Sequence, residues 1–118
     1  MNPFLTAFIL ISIDSIYLYL IQSMSAKSIS TIQGSPLQIN YYGAIMCYAL
    51  LVLGLHYFIL SGKKSVLDAF ILGIVIYGVF ESTNLAIFKN WPLYLVVVDT
   101  LWGGILLALT TYIMQVLN

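Results

Sequence analysis

Three carboxylic acids, Asp14, Glu81 and Asp99, stand inside strongly apolar stretches of this chain. They are three of only four acidic residues, and the fourth, Asp68, lies at the edge of a stretch. The four bases are all lysines, Lys27, Lys63, Lys64 and Lys89, and all fall in short polar breaks. An acid in hydrocarbon costs about 2.5–3.5 kcal/mol on insertion scales and normally faces the protein interior or a pathway. Such acids can carry protons, bind cations or act as general acid and base. Two acids at close range cannot both ionise cheaply, so such a pair shares a proton or a counter-ion.

The spacing suggests which of them meet. Glu81 lies about eight residues before the Lys89-Asn90-Trp91 break, and Asp99 about eight after it. At about 1.5 Å per helical residue, both reach a depth of about 10 Å below that surface. Asn84 and Tyr77 share a helix face with Glu81, three residues after it and four before it. This arrangement predicts a Glu81–Asn84–Asp99 contact, with Tyr77 and Trp102 as further members of the cluster. Asp14 lies mid-stretch, and its neighbourhood Asp14-Ser15-Ile16-Tyr17 echoes Asp99-Thr100-Leu101-Trp102. Each reads acid, hydroxyl, aliphatic, aromatic, and an antiparallel pair of such cassettes fits an inverted repeat. With no arginine in the chain, the acids are protonated, hydrogen-bonded to neutral groups, or neutralised by a bound cation.

The elements that hold these residues follow from composition. Hydrophobic residues make up 62% of 118, charged residues 7%, and the mean hydropathy is +1.04. Soluble domains carry about 25% charged residues, and a chain this short cannot enclose so much apolar surface in one aqueous core. The reading is an all-α integral membrane protein, a four-transmembrane-helix bundle forming one domain over 1–118. Helices are expected near 3–23, 36–60, 66–88 and 92–117, each long enough to span. Asn2-Pro3 and Ser35-Pro36 read as a cap followed by proline. Ser65 and Asp68 form an acidic capping box, and Pro92 sits in a first turn. The first stretch lacks a basic start and contains Asp14, so it does not read as a cleaved signal peptide.

Gly103 and Gly104 remove bulk next to Asp99 and are expected to pack against another helix. Gly43, Gly54, Gly73 and Gly78 suggest further close helix contacts. Tyr41, Tyr42, Tyr57, Trp91, Tyr94 and Tyr112 fall near helix ends, where an interfacial aromatic belt would place them. His56 reads as a headgroup or core contact. One cysteine, Cys47, excludes an internal disulfide, and one histidine excludes a bis-histidine haem. There is no basic cluster for nucleic acid, and no nucleophile elbow, phosphate loop, zinc motif or dinucleotide fingerprint. No catalytic, cofactor or metal residues are assigned and no cofactor is expected.

The run Tyr77-Gly78-Val79-Phe80-Glu81-Ser82-Thr83-Asn84-Leu85-Ala86, then Lys89-Asn90-Trp91-Pro92, then Asp99-Thr100-Leu101-Trp102-Gly103-Gly104 resembles a family of small membrane proteins called domain of unknown function 2177. Asp14-Ser15-Ile16-Tyr17, Tyr48 through Gly54, and Phe58 fit the same family more loosely. Glu81 replaces the commoner aspartate and Tyr17 the commoner tryptophan, which keeps charge and aromaticity. The resemblance implies a four-helix membrane protein and no particular chemistry.

Three functions are compatible with these residues. The first is a structural or accessory membrane protein, working in the bilayer as a homo-oligomer or a subunit of a larger assembly. There the acids form a neutral polar knot that fixes helix pairing. The second is a proton- or cation-coupled transporter or channel. The third, a membrane enzyme using Glu81 and Asp99, lacks an accompanying nucleophile or cofactor motif. Which membrane hosts the chain is not encoded. Four spans place both termini and the 61–65 turn on one side. The Lys63-Lys64 pair assigns that side to the cytoplasmic type. Cysteine labelling in a Cys47-free background should find probes at Ser61 and Ser30 on opposite faces; labelling from the same face would contradict four spans.

Overall fold

The computed structural model describes the backbone of residues 2–33 and 40–117, and the side chains of that set outside 22–33. These residues form four helices: α1 (Pro3–Gln33), α2 (Tyr41–Leu55), α3 (Val66–Ile87) and α4 (Leu93–Leu117). No strand occurs among them. α2 runs on into a π-helical turn, His56–Leu60, closed by Ser61 N donating to His56 O at 2.9 Å. Each helix includes an apolar span long enough to cross a bilayer, the first ending at Ile21 and the second running from Tyr41 to Leu60.

The helix starts have local causes. Asn2 Oδ1 accepts from Phe4 N at 2.8 Å, and Pro3 occupies the first turn where no N–H is needed. Ser65 and Asp68 exchange both bonds of the capping box, at 3.1 and 3.3 Å. Pro92 stands at the cap of α4, its carbonyl accepting from Val96 N at 3.3 Å, so α4 begins one residue later than the proline suggests. The tight turn before it is closed by Asn90 in the left-handed region, at φ 63°, a conformation asparagine adopts more readily than most residues.

Two expected boundaries differ. The polar break placed at 24–35 is helical as far as Gln33, so α1 extends ten residues past its expected end at 23 and carries Lys27 with it. Serine and lysine there mark where the apolar span stops. They do not stop a helix, because no glycine or proline intervenes before Gly34. The second helix, expected from 36, begins at Tyr41, with Asn40 Oδ1 accepting from Gly43 N at 3.2 Å. The expected Ser35-Pro36 cap lies outside the described residues.

α3 and α4 make the most intimate pair; α1 packs on α4, and α2 on α1. The α3–α4 seam depends on small residues. Gly73, Gly103 and Gly104 are buried. A Cβ on Gly73 would collide with the Gly103 carbonyl, and one on Gly103 would enter the Tyr77 ring. One on Gly104 would fall 2.9 Å from the Phe70 ring. Gly43 and Gly54 do not behave this way: Gly54 has nothing within 4 Å and Gly43 meets only Asn40. Their helix is peripheral, so glycine there marks no close approach.

Buried apolar side chains gather in the half of the bundle nearest the 61–65 turn. Leu10, Leu55, Leu106 and Leu107 are fully enclosed there, with Leu51, Ile59, Leu60, Ala69 and Met114 around them. The outside of the helices is largely apolar, with Phe4, Tyr42, Leu20 and Val79 all well exposed. In lipid that surface is solvated, so association rests on packing and interhelical hydrogen bonds. Gly103→Leu should therefore lower stability by about 1–3 kcal/mol through overpacking, whereas Gly54→Ala should be neutral. Thermal unfolding in detergent checks this; a wild-type melting temperature for Gly103→Leu would contradict the seam.

Candidate functional site

The half of the bundle nearest the 89–91 turn carries the acids. Asp14 on α1 is buried and both its oxygens are occupied. Trp102 Nε1 on α4 donates to Oδ1 at 2.9 Å. The Tyr48 hydroxyl on α2 donates to Oδ2 at 2.5 Å. Asp99 on α4 accepts from the Tyr17 hydroxyl on α1. The Tyr17 and Trp102 rings stack nearly parallel, with centroids 4.5 Å apart. The two echoing cassettes thus bond reciprocally: each acid accepts a hydrogen bond from the aromatic that stands three residues beyond the other acid.

Glu81 on α3 is fully buried. Its Oε2 accepts from Trp91 Nε1 at 2.8 Å. Trp91 sits in the turn and leans on Phe88, their ring centroids 5.6 Å apart. The antiparallel register brings α4 past this point. Tyr77 packs on Gly103 and Gly78 faces the Thr100 methyl. One turn further along α3, the same register brings Glu81 level with Asp99. Glu81 Oε1 has no donor among the described residues; Thr111 Oγ1 is the other buried side-chain oxygen without a partner.

Two of the expected partners play other parts. Asn84 is buried on the Glu81 face, but its side chain makes no hydrogen bond among the described residues. The donor to Glu81 is Trp91, because the turn is short enough to fold the indole back over the helix end. Tyr77 acts through its ring against Gly103, with no hydrogen bond from its hydroxyl among the described residues. Asp14, Glu81, Asp99 and Trp102 do come together as a polar layer, joined by Tyr17, Tyr48 and Trp91. Tyr17 was visible in the cassette echo. Tyr48 could have been matched to Asp14 by depth only with the first connection's length known, and the helical extension of α1 obscured it. Nothing distinguished Trp91 from the belt aromatics, of which Tyr41, Tyr42 and Tyr57 are indeed exposed.

A second polar contact lies toward the other surface, where His56 Nε2 and Thr6 Oγ1 are 2.8 Å apart and join α2 to the first turns of α1. Between these two ties an apolar groove of about 700 Å³ runs along α1 and α2, lined among others by Phe4, Ile11, Ile45, Tyr48, Val52 and His56. No group of three or more His, Cys, Asp or Glu able to hold a metal occurs among the described residues.

Fold and site together define a class: an integral membrane protein of four helices whose buried acids are held by aromatic donors. The family model described as "Predicted membrane protein (DUF2177)" matches residues 2–116, nearly the whole chain, and the protein belongs to that family. No curated protein and no solved structure matches it.

If the aromatic donors tie the helices together, removing a hydroxyl should cost measurable stability. Tyr17→Phe and Tyr48→Phe should each lose about 0.5–2 kcal/mol, the range spanned by interhelical bonds in membranes and bonds to charged groups. Tyr41→Phe, on an exposed residue, should change nothing. Unfolding titrations in mixed micelles would show the contrast. Equal effects at all three sites would dissociate the hydroxyls from the bundle's stability.

Proposed function

We infer that this protein is a structural or accessory component of its membrane, working as a homo-oligomer or as a subunit of a larger assembly. The observation that carries this reading is where the acids spend their hydrogen bonds. Both oxygens of Asp14, one of Asp99 and one of Glu81 are taken by tyrosine and tryptophan donors of the same chain. Such bonds join α1 to α2, α1 to α4, and α3 to the following turn. They serve helix placement, which is what a scaffolding subunit requires. Peripheral α2 supports the same reading, since its groove with α1 is left open among the described residues.

A second reading, proton-coupled transport, rests on one specific observation: Glu81 is fully buried and keeps one oxygen without a donor among the described residues. Intramembrane carboxyls of that kind form the relays of pumps and transporters.

Chemical cross-linking in native membranes, followed by mild extraction and native mass spectrometry, separates the two. The expected result is a stable species larger than one chain, with cross-links on α1 and α2. A monomer under these conditions, together with acid-driven proton flux in liposomes that Glu81→Gln abolishes, would replace the accessory reading by the transport one.

A further inference from the structure

The unmatched oxygen of Glu81 has a chemical consequence. A carboxylate donates nothing, so two facing carboxylates leave a gap in the hydrogen bonding that an added donor must fill, and a proton or a cation also removes the repulsion between the two charges. Asp14 has no such gap, because indole and phenol occupy both of its oxygens. Asp99 has one oxygen held by Tyr17, and Glu81 one held by Trp91, and the register of α3 against α4 sets the two carboxyls level with each other. The groups around the pair are Trp91 from the turn, Trp102 from α4, Tyr17 from α1 with Asp14 one turn back, and Tyr77 one turn back on α3. α2 offers Tyr48, which is spent on Asp14. No lysine lies within the four apolar spans.

We propose that Glu81 and Asp99 form a proton-binding site, in which one proton resides on Glu81 Oε1 and is donated to the open oxygen of Asp99. The chain supplies every other contact the pair needs. Trp91 orients Glu81 by its other oxygen, Tyr17 orients Asp99, and the glycine seam one turn deeper holds the two helices at the required spacing. A single proton fits with no change of geometry, since it adds no heavy atom to a fully buried position. Loss of that proton leaves two adjacent carboxylates in hydrocarbon with one neutral donor each, so deprotonation and loosening of the α3–α4 end are linked. A monovalent cation is the competing occupant, and the test distinguishes it. The site does not depend on the accessory role inferred above.

Infrared spectroscopy of the purified protein in lipid at neutral pH reads the site directly. The expected result is a protonated-carboxyl C=O band that shifts in D₂O and disappears in Glu81→Gln. The Gln variant should fold, because its amide keeps an acceptor for Trp91 and offers Asp99 an N–H. Raising the pH should destabilise the wild type, since the folded state gives up a proton that exposed carboxyls do not hold there. That dependence should be lost in Glu81→Gln. Should Glu81→Gln fail to fold, Asp99→Asn provides the second reading: the band should persist but move, its acceptor having changed from carboxylate to amide. Absence of the band in folded wild type, its persistence in Glu81→Gln, or an unmoved band in Asp99→Asn would each overturn the proposal. Absence of the band together with stabilisation by sodium chloride over choline chloride would put a cation in the proton's place.

Discussion

An acid inside a bilayer has to be given hydrogen-bond donors, and this chain has no cation to give. It contains no arginine, and its lysines stand beyond the apolar spans. The donors must then be neutral and must themselves be compatible with hydrocarbon. The tyrosine hydroxyl and the indole N–H satisfy both conditions, since each is a single polar group on a large apolar ring. That constraint explains the pairing of every intramembrane acid with an aromatic: Asp14 with Trp102 and Tyr48, Asp99 with Tyr17, Glu81 with Trp91. Because the aromatics come from other helices or from a turn, satisfying the acids assembles the bundle. Apolar surface alone could not, because lipid solvates leucine as well as another helix does.

The two halves of the bundle solve different problems. Near the 61–65 turn the interior is filled with leucine and methionine, with the threonines of α4 close by. Near the 89–91 turn it holds the acids. Gly73, Gly103 and Gly104 lie between these regions and set the distance between α3 and α4. The glycine contact is too close to tolerate a side chain, so it admits one register of the hairpin. That register is the one in which Glu81 comes level with Asp99. Backbone contact in one place thus determines the level of the two carboxyls one turn away, and a slip along the helices would lose both.

The sequence made the class of fold plain because apolar stretches of spanning length have few alternative structures in lipid. Helix starts with a chemical signature, Asn2-Pro3 and Ser65 with Asp68, appear where their side chains predict. Residues 24–33 misled because composition reports the edge of the bilayer, whereas helix ends depend on glycine, proline and capping, as Asn40 capping α2 shows. The acids could be picked out one by one, since charge in an apolar run is conspicuous. Their partners could not, because tyrosine and tryptophan are common at membrane interfaces for reasons unrelated to any acid. Tyr17 was the exception, since it repeats a pattern present elsewhere in the chain. Asn84 was the natural partner for Glu81 by helical spacing, but a side chain three residues away on the same helix competes with an indole brought over by the turn, and the indole makes the bond.

The reciprocal cassettes carry a geometric argument of their own. In each, an aromatic stands three residues beyond an acid, nearly one helical turn. Set two such cassettes on parallel helices and acid meets acid. Set them antiparallel and each acid comes level with the other's aromatic, while the two rings fall close enough to stack, as Tyr17 and Trp102 do. A shift of one turn would bring the acids together or leave one without a donor, so the cassette selects both the sense and the register of the α1–α4 pair. Tyr48 completes Asp14 from α2. Glu81 stands outside this pseudo-symmetric unit, on α3, which carries no cassette. It meets the unit at Asp99, the acid to which α2 offers no second donor. The asymmetry of the four helices therefore has a chemical counterpart: one acid fully supplied with donors, and a pair of acids left to complete each other.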